Sequence, residues 1–241
     1  MGSKSINRSK ISLEDIPKHI SIIMDGNGRW ATKNHLDVSE GHIAGYKNIR
    51  PVISELSSIG VEFVTVYAFS TENWGRPKSE VQALMELAGS VIKDEVKAIS
   101  EENIKLTHAG DLNNLSNTLR SDILKAVEDT KNNSGLTLCV AFNYGGRQEI
   151  INAVKKIILD EIDVDEINLE LFSTYLYVPE LPYPDLVIRT GGEFRISNFL
   201  IWQSAYSEFF STPVLWPDFG SKEINEAIEN YGQRQRRFGR R

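Results

Sequence analysis

The segment Met24-Asp25-Gly26-Asn27-Gly28-Arg29-Trp30 holds the residue types that a phosphorylated, metal-bridged ligand needs. Gly26 and Gly28 flank Asn27 and allow backbone angles and a close ligand approach that side chains would block. The segment follows an apolar run and opens a helical pattern. First-turn N–H groups and the positive end of a helix dipole then face one spot, which suits a diphosphate. Arg29 adds a two-pronged phosphate donor. Asp25 repels a phosphate by itself, so beside one it implies a bridging Mg²⁺. The pattern is neither the GxxxxGK phosphate loop nor GxGxxG. From glycine content alone it reads equally well as a strand-to-helix turn capped by Asp or Asn.

Two further clusters follow apolar runs. Ser70-Thr71-Glu72-Asn73-Trp74-Gly75-Arg76-Pro77 gathers hydroxyls, an amide, an arginine and a tryptophan on one loop. Its plain alternative is a polar turn plugged by Trp74. Arg189-Thr190-Gly191-Gly192-Glu193-Phe194-Arg195-Ile196-Ser197 sets two arginines around a Gly-Gly turn, a natural cradle for a second phosphate group. Paired arginines are also common salt-bridge partners. Two phosphate cradles and one carboxylate suggest two phosphorylated substrates and a metal.

The elements that must position these clusters alternate in type. Near-continuous apolar runs at Ile20–Met24, Phe63–Phe69, Ile104–His108, Leu136–Phe142 and Leu186–Ile188 read as strands buried on both faces, with a sixth at Val214–Trp216. Helical spacing links Ile49, Val52, Ile53 and Leu56, and again Val81, Leu84, Met85 and Ala88. Pro51 marks a kink or break in the first pattern. Residues 113–129, 147–160 and 222–235 also read as helices. The alternation predicts an α/β domain with a mostly parallel sheet and ligands beyond the carboxyl ends of its strands.

Bulk properties narrow the class. The 241 residues carry 27 Lys+Arg against 33 Asp+Glu, a net charge of −6, which argues against a dedicated nucleic-acid binder. Arginine nevertheless fills Arg234, Arg236, Arg237, Arg240 and Arg241 at the end of the chain. Cys139 is the single cysteine and lies in an apolar run, so a buried thiol in a reducing cytoplasm is expected. No apolar run reaches the length of a membrane span. Residues 1–15 read as a flexible arm without the apolar middle of a signal peptide, and 16–241 as a single domain.

The clusters sit in longer motifs: HISIIMDGNGRWA, GHIAG at Gly41–Gly45, YAFSTENWGRP, NYGGR at Asn143–Arg147, RTGGEFRISNFLIWQSAYSEFF and RQRRFG. Together, in this order, they resemble the cis-prenyltransferase family, whose bacterial type is undecaprenyl diphosphate synthase. The resemblance runs from about His19 to Gly239. It implies a six-stranded, mostly parallel sheet, an apolar tunnel walled in part by the Val81–Ile99 helix, and a homodimer. It implies condensation of isopentenyl diphosphate onto an allylic diphosphate such as farnesyl diphosphate. The product would be a long (Z)-polyprenyl diphosphate, undecaprenyl diphosphate for a cell-wall or glycan lipid carrier.

Roles follow residue by residue from the resemblance. Asp25 corresponds to the metal-binding catalytic carboxylate, and Glu208 to an acid linked to Mg²⁺. Gly26, Asn27, Gly28, Arg29 and Trp30 correspond to the allylic diphosphate cradle, with His42 near it. Ser70, Thr71, Glu72, Asn73, Trp74 and Arg76 match the loop that closes over the substrates, with Asn73 aiding proton removal. Arg189, Arg195, Ile196 and Ser197 match the isopentenyl diphosphate site. Arg237 and Gly239, with Phe238 between them, match an element that reaches the partner subunit's site. A cytoplasmic enzyme with peripheral membrane contact is implied. Two positions depart from the pattern: Val38 stands where an arginine is common, and Phe194 where some bacterial members have histidine.

Two other classes compete. A non-catalytic partner subunit of a heteromeric prenyltransferase would keep the fold and lose the catalytic set, which this chain retains. A nucleotide-binding α/β enzyme lacks support without a phosphate-loop lysine. The DDxxD motif of trans-prenyltransferases is absent from the sequence.

Overall fold

The computed structural model describes residues 16–234, so the expected arm at 1–15 and the Arg237 and Gly239 positions lie outside it. Among the described residues six strands form one sheet: β1 (His19–Ile23), β2 (Phe63–Ser70), β3 (Lys105–Ala109), β4 (Thr137–Tyr144), β5 (Leu186–Arg189) and β6 (Glu208–Ser211). Their order is β3-β4-β2-β1-β5-β6, and every pairing is parallel. The α-helices of the same span are α1 (Asn27–Lys33), α2 (Val38–Lys47), α3 (Ile49–Ile59), α4 (Lys78–Glu101), α5 (Asn117–Thr130), α6 (Gly146–Leu159), α7 (Leu169–Thr174) and α8 (Ser221–Gly232).

After β1 the chain leaves toward β2, and after β5 it leaves toward β6 on the other side. The crevice between β1 and β5 is therefore the topological switch point, where ligands bind in open parallel sheets. Register sets Ile23 beside Arg189, so the ends of these two strands share one height.

The two faces of the sheet differ chemically. Ile20, Ile22, Val64, Val66, Leu186 and Ile188 point to one face and pack with α3 and α8. On the other, Ser21, Thr65, Cys139 and Thr107 form one row across β1, β2, β4 and β3. Cys139 is buried, and burial pushes its thiol up to about 12, so it is inert.

The sixth strand is not where the apolar pattern put it. Val214–Trp216 lies between Pro213 and Pro217, which donate no ladder bonds, and it crosses the strand ends instead. There Val214 O accepts from Gly191 N, and Trp216 N donates to Asp25 O. The actual strand, Glu208–Ser211, is a short edge half-buried along its length, so it carries no continuous apolar signature. The helical pattern from Ile49 to Leu56 runs unbroken through Pro51. Pro51 lies in the first turn of α3, where its missing N–H has no partner within that helix, and the break falls earlier, between α2 and α3 at Asn48. The short helix α7 has no counterpart in the sequence reading.

Helix α4 behaves unlike a core helix. Over its 24 residues only Val81 is fully buried. Its apolar stripe faces a cavity of about 620 Å³ between the sheet and α3, α4 and α5. Ala68, Phe69, Val140 and Phe142 line the sheet side, and Met24, Asn27 and His42 stand at the end nearest β1. The stripe is a wall turned toward a guest.

One buried group ties the fold to pH. His19 Nδ1 donates to Pro182 O at 2.6 Å, and Nε2 meets Thr65 Oγ1 at 2.8 Å. Burial pulls its pKa from 6.5 down to about 4, outweighing the Pro182 bond and the Asp185 charge. Folding thus favours the neutral ring. Its stabilising contribution is complete above about pH 6.5 and is lost as pH falls toward 4. The full loss is on the order of 3 kcal/mol. Urea unfolding at pH 7 and pH 5 is expected to show lower stability at pH 5. In His19→Gln that pH dependence should shrink; an unchanged slope would remove His19 as the cause.

Candidate functional site

At the switch point Asp25 stands between two arginines. Its Oδ1 accepts from Arg29 Nη2 at 3.0 Å and its Oδ2 from Arg189 Nη2 at 2.8 Å. The three side chains are graded in exposure: Arg189 at 5%, Asp25 at 28% and Arg29 at 50%. Arg189 is the last residue of a fully buried strand, so its charge needs a fixed counter-ion. Its Nη1 donates to Arg195 O at 2.6 Å and Ser197 Oγ at 2.7 Å, while its Nε is buried without a partner.

The backbone around Asp25 is equally constrained. Thr190 Oγ1 accepts from Asp25 N at 2.9 Å and donates to Asp25 O at 2.7 Å. Gly26 and Gly191 carry φ of +114° and +82°. A Cβ on Gly191 would stand 2.4 Å from Arg29 Nη2, so glycine lets that arginine reach Gly191 O at 2.6 Å. No side chain caps the first turn of α1, whose backbone N–H groups open beside Asp25. With only seven residues, α1 contributes those donors more than a dipole.

The GHIAG motif acquires a physical reason here. Helix α2 lies directly on the start of α1. A Cβ on Gly41 would stand 2.3 Å from Asn27 O, and one on Gly45 would stand 2.3 Å from Asn27 Oδ1. His42 lies in the second turn of α2, with Nε2 3.4 Å from Glu80 Oε1. Arg76 donates to the same Glu80 oxygen at 2.8 Å. Burial first, and the Arg76 charge, hold the His42 ring below its usual value despite the Glu80 bond, so it is neutral near pH 7. Trp30 Nε1 donates to Asp218 Oδ1 at 2.7 Å.

The loop after β2 is a 3₁₀ turn, Thr71–Gly75. Asn73 Oδ1 accepts from Ser70 N at 3.0 Å, closing the turn on itself. Trp74 Nε1 donates to Asn143 Oδ1 at 2.8 Å, and Glu72 Oε1 accepts from Asn198 Nδ2 at 2.7 Å. Burial opposes ionisation of Glu72, yet hydrogen bonds from its own backbone and from Asn198, Ser70 and Thr71 keep it below the usual range.

Not every expected residue joins the cradle. Arg195 is exposed and pairs with Glu193 at 2.5 Å; it is its backbone carbonyl that holds Arg189. Ile196, the next residue, is exposed at the surface. Glu208 does not share a metal site with Asp25 within one chain. It starts β6, level with Leu186 and Ile20, five residues below Asp25 on β1. That is roughly 16 Å along the strands, and Glu208 pairs instead with Arg234. Among the described residues no group of three or more His, Cys, Asp or Glu converges. Thr190, Asn143 and Asn198 join the site without having been singled out by residue type, although all three lie inside the motifs RTGGEFRISNFLIWQSAYSEFF and NYGGR.

The arrangement suits a phosphorylated apolar molecule. Two arginines hold one carboxylate beside the uncapped start of α1, next to Met24 and Asn27, which line an apolar cavity. Mg²⁺ takes one or two carboxylates and completes its shell with water and substrate phosphates. Asp25 alone fits that pattern, one arginine contact giving way.

Comparison with known proteins agrees with this chemistry. Residues 23–239 match the prenyltransferase family model described as "Putative undecaprenyl diphosphate synthase". An isoprenyl transferase of Fusobacterium nucleatum is 55% identical over 226 residues, covering 94% of this chain and 97% of that protein. The farnesyl-diphosphate-specific ditrans,polycis-undecaprenyl-diphosphate synthase of Micrococcus luteus is 45% identical, covering 98% and 96%. The crystal structure of lavandulyl diphosphate synthase from Lavandula x intermedia with dimethylallyl diphosphate superposes with a TM-score of 0.89. It is 35% identical and covers 94% of this chain and 99% of that one.

The contact between α2 and Asn27 can be tested. Gly45→Ala forces a methyl group into Asn27, an overpacking cost of about 1–3 kcal/mol. Urea unfolding should show that loss, and calorimetric titration with inorganic pyrophosphate should show weaker binding. Unchanged values on both would mean that the contact is not tight.

Proposed function

The chain belongs to the undecaprenyl diphosphate synthase family of prenyltransferases, and from that premise we propose that it condenses isopentenyl diphosphate onto an allylic diphosphate. The primer is farnesyl diphosphate and the product a long (Z)-polyprenyl diphosphate, undecaprenyl diphosphate. The observation that carries the reading is Asp25 clasped by Arg29 and Arg189 where an apolar cavity opens.

The chemistry follows from these groups. The allylic C1–oxygen bond breaks, and the isopentenyl double bond forms a carbon–carbon bond to C1. A proton then leaves the isopentenyl unit to set the new double bond. Charge develops on the departing diphosphate, where Arg29 and the α1 N–H groups stabilise it. Arg189, with Ser197 beside it, receives the second diphosphate, and holding both substrates in line adds a large proximity term. Asp25 would hold a Mg²⁺ ion, which would supply positive charge against the leaving diphosphate. Arginines are no bases at this pH. Asn73 serves as an orienting relay for the proton, and its destinations are the diphosphate or the neutral His42 ring.

Space supports a growing chain. The apolar cavity of about 620 Å³ gives the hydrocarbon tail a chamber, and α4 walls it with a half-buried apolar stripe. The reading extends to a homodimer, in which Arg237 and Gly239 close the partner's site. Exposed Ile151, Val154 and Ile158 on one side of α6 support a partner surface. Glu208 meets Asp25 chemistry only from another copy. No helix among the described residues is long and apolar enough to cross a membrane. The reading places the enzyme in the cytoplasm, touching the membrane peripherally, where its lipid product goes.

Incubation with farnesyl diphosphate, labelled isopentenyl diphosphate and Mg²⁺ should give polyprenyl products, and chelation should stop them. Asp25→Asn is the better probe than alanine, because it leaves an oxygen for buried Arg189. It should lower kcat on the order of a hundredfold or more. Near-normal turnover would refute the metal role. Ala88→Phe, on the cavity side of α4, should shift the product distribution to shorter chains; an unchanged distribution would separate α4 from length control.

A further inference from the structure

The NYGGR motif takes no part in the reaction, yet its residues meet the Thr71–Gly75 turn at two points and reach it at a third through Asn198. Asn143 is buried at φ +51°, a left-handed conformation that asparagine tolerates. Its Oδ1 accepts from Trp74 Nε1, and its Nδ2 donates to Asp111 O at 2.6 Å. A Cβ on Gly145 would stand 2.5 Å from Thr71 Oγ1 and 2.9 Å from Asn198 Nδ2, so the turn rests on bare backbone there. Asn198, at φ +63°, spans the remaining gap. Its Nδ2 donates to Glu72, its Oδ1 accepts from Arg147 N at 2.9 Å, and its carbonyl accepts from Gly146 N at 2.8 Å.

We propose that Asn143 and Asn198 are positioning residues that seat the turn carrying Asn73, and that Asn198 links this seat to the second diphosphate site. The link is a continuous chain of contacts. Asp25 Oδ2 accepts from Arg189, Arg189 donates to Ser197 Oγ, and the next residue, Asn198, donates to Glu72. Both amides use opposite ends of one side chain. One end fastens to fixed backbone and the other to the turn; an ionised carboxylate has no donor for this, and a hydroxyl has only one atom where the amide has two. A diphosphate that draws Arg189 toward itself acts on the segment that holds Glu72.

This deepens the prenyltransferase reading and rests on it for its kinetic part alone. The test labels the full chain with 5-fluorotryptophan. The four tryptophans, Trp30, Trp74, Trp202 and Trp216, each give a ¹⁹F resonance, with Trp74 assigned through Trp74→Phe. Asn198→Asp keeps the oxygen for Arg147 N but turns a carboxylate on Glu72. In the substrate-free protein it should move or broaden the Trp74 resonance and leave that of buried Trp216 in place. It should lower kcat/KM for isopentenyl diphosphate about tenfold, as loss of a charge-assisted hydrogen bond does. Adding Glu72→Gln reverses donor and acceptor, and should return the Trp74 resonance to its original position. Asn143→Asp, which keeps the acceptor for Trp74 but turns an oxygen on Asp111 O, and Asn143→Gly, which removes both bonds, should each shift that resonance. The proposal is overturned if Asn198→Asp leaves Trp74 unmoved, or if all four resonances shift together. Failure of the added Glu72→Gln substitution to restore the position overturns it as well. The resonance is read without substrate, so a chain that made no polyprenyl product would still answer this question.

Discussion

The contact on which the site depends is the ion pair between Asp25 and Arg189, across the ends of β1 and β5. Arg189 ends a fully buried strand, and a buried guanidinium without a partner is costly enough to unseat the element that carries it. Asp25 answers that charge from the neighbouring strand, and Thr190 fixes the Asp25 backbone on both sides. The pair therefore locks the crevice where the two halves of the sheet diverge. It also leaves a carboxylate and two arginines at one place, which is what two diphosphates and a divalent cation require.

Close approach is the second constraint, and glycine supplies it where the structure demands it. Gly191 yields room for Arg29, Gly41 and Gly45 yield room for Asn27, and Gly145 yields room for Thr71. These contacts bring groups from five separate segments, around Asn27, Gly41, Thr71, Gly145 and Gly191, into close contact near the strand ends. The sheet below them divides its labour: aliphatic residues on one face hold α3 and α8, and the cavity lies along the outer strands of that face. The polar cradle and the apolar chamber thus meet at Met24 and Asn27. A molecule with a charged head and a hydrocarbon tail is the guest that satisfies both.

The sequence by itself determined a great deal. Five strands were legible within a residue or two, because strands buried on both faces read as near-continuous apolar runs, interrupted here only by small or isolated polar residues such as Ser21 and Thr65. The clusters around Asp25, Asn73 and Arg189 were legible because each follows such a strand, where parallel sheets bind ligands. The inert Cys139 was legible because its cause, burial within an apolar run, is local. The effect of Pro51 was not, because a proline in the first turn of a helix leaves the pattern around it intact.

Tertiary structure decided what depends on residues far apart in the chain. The edge strand Glu208–Ser211 is half-buried and lacks periodicity, whereas the more apolar Val214–Trp216 is barred from the ladder by its prolines. Glu208 and Asp25 both read as metal ligands, yet strand register sets them at different heights. Thr190 reaching Asp25, Asn198 reaching Glu72 and Asn143 reaching Trp74 are separated by 165, 126 and 69 positions. Residue types and spacing report what a segment can do with its own neighbours; only the packed sheet determines which distant atom a side chain meets.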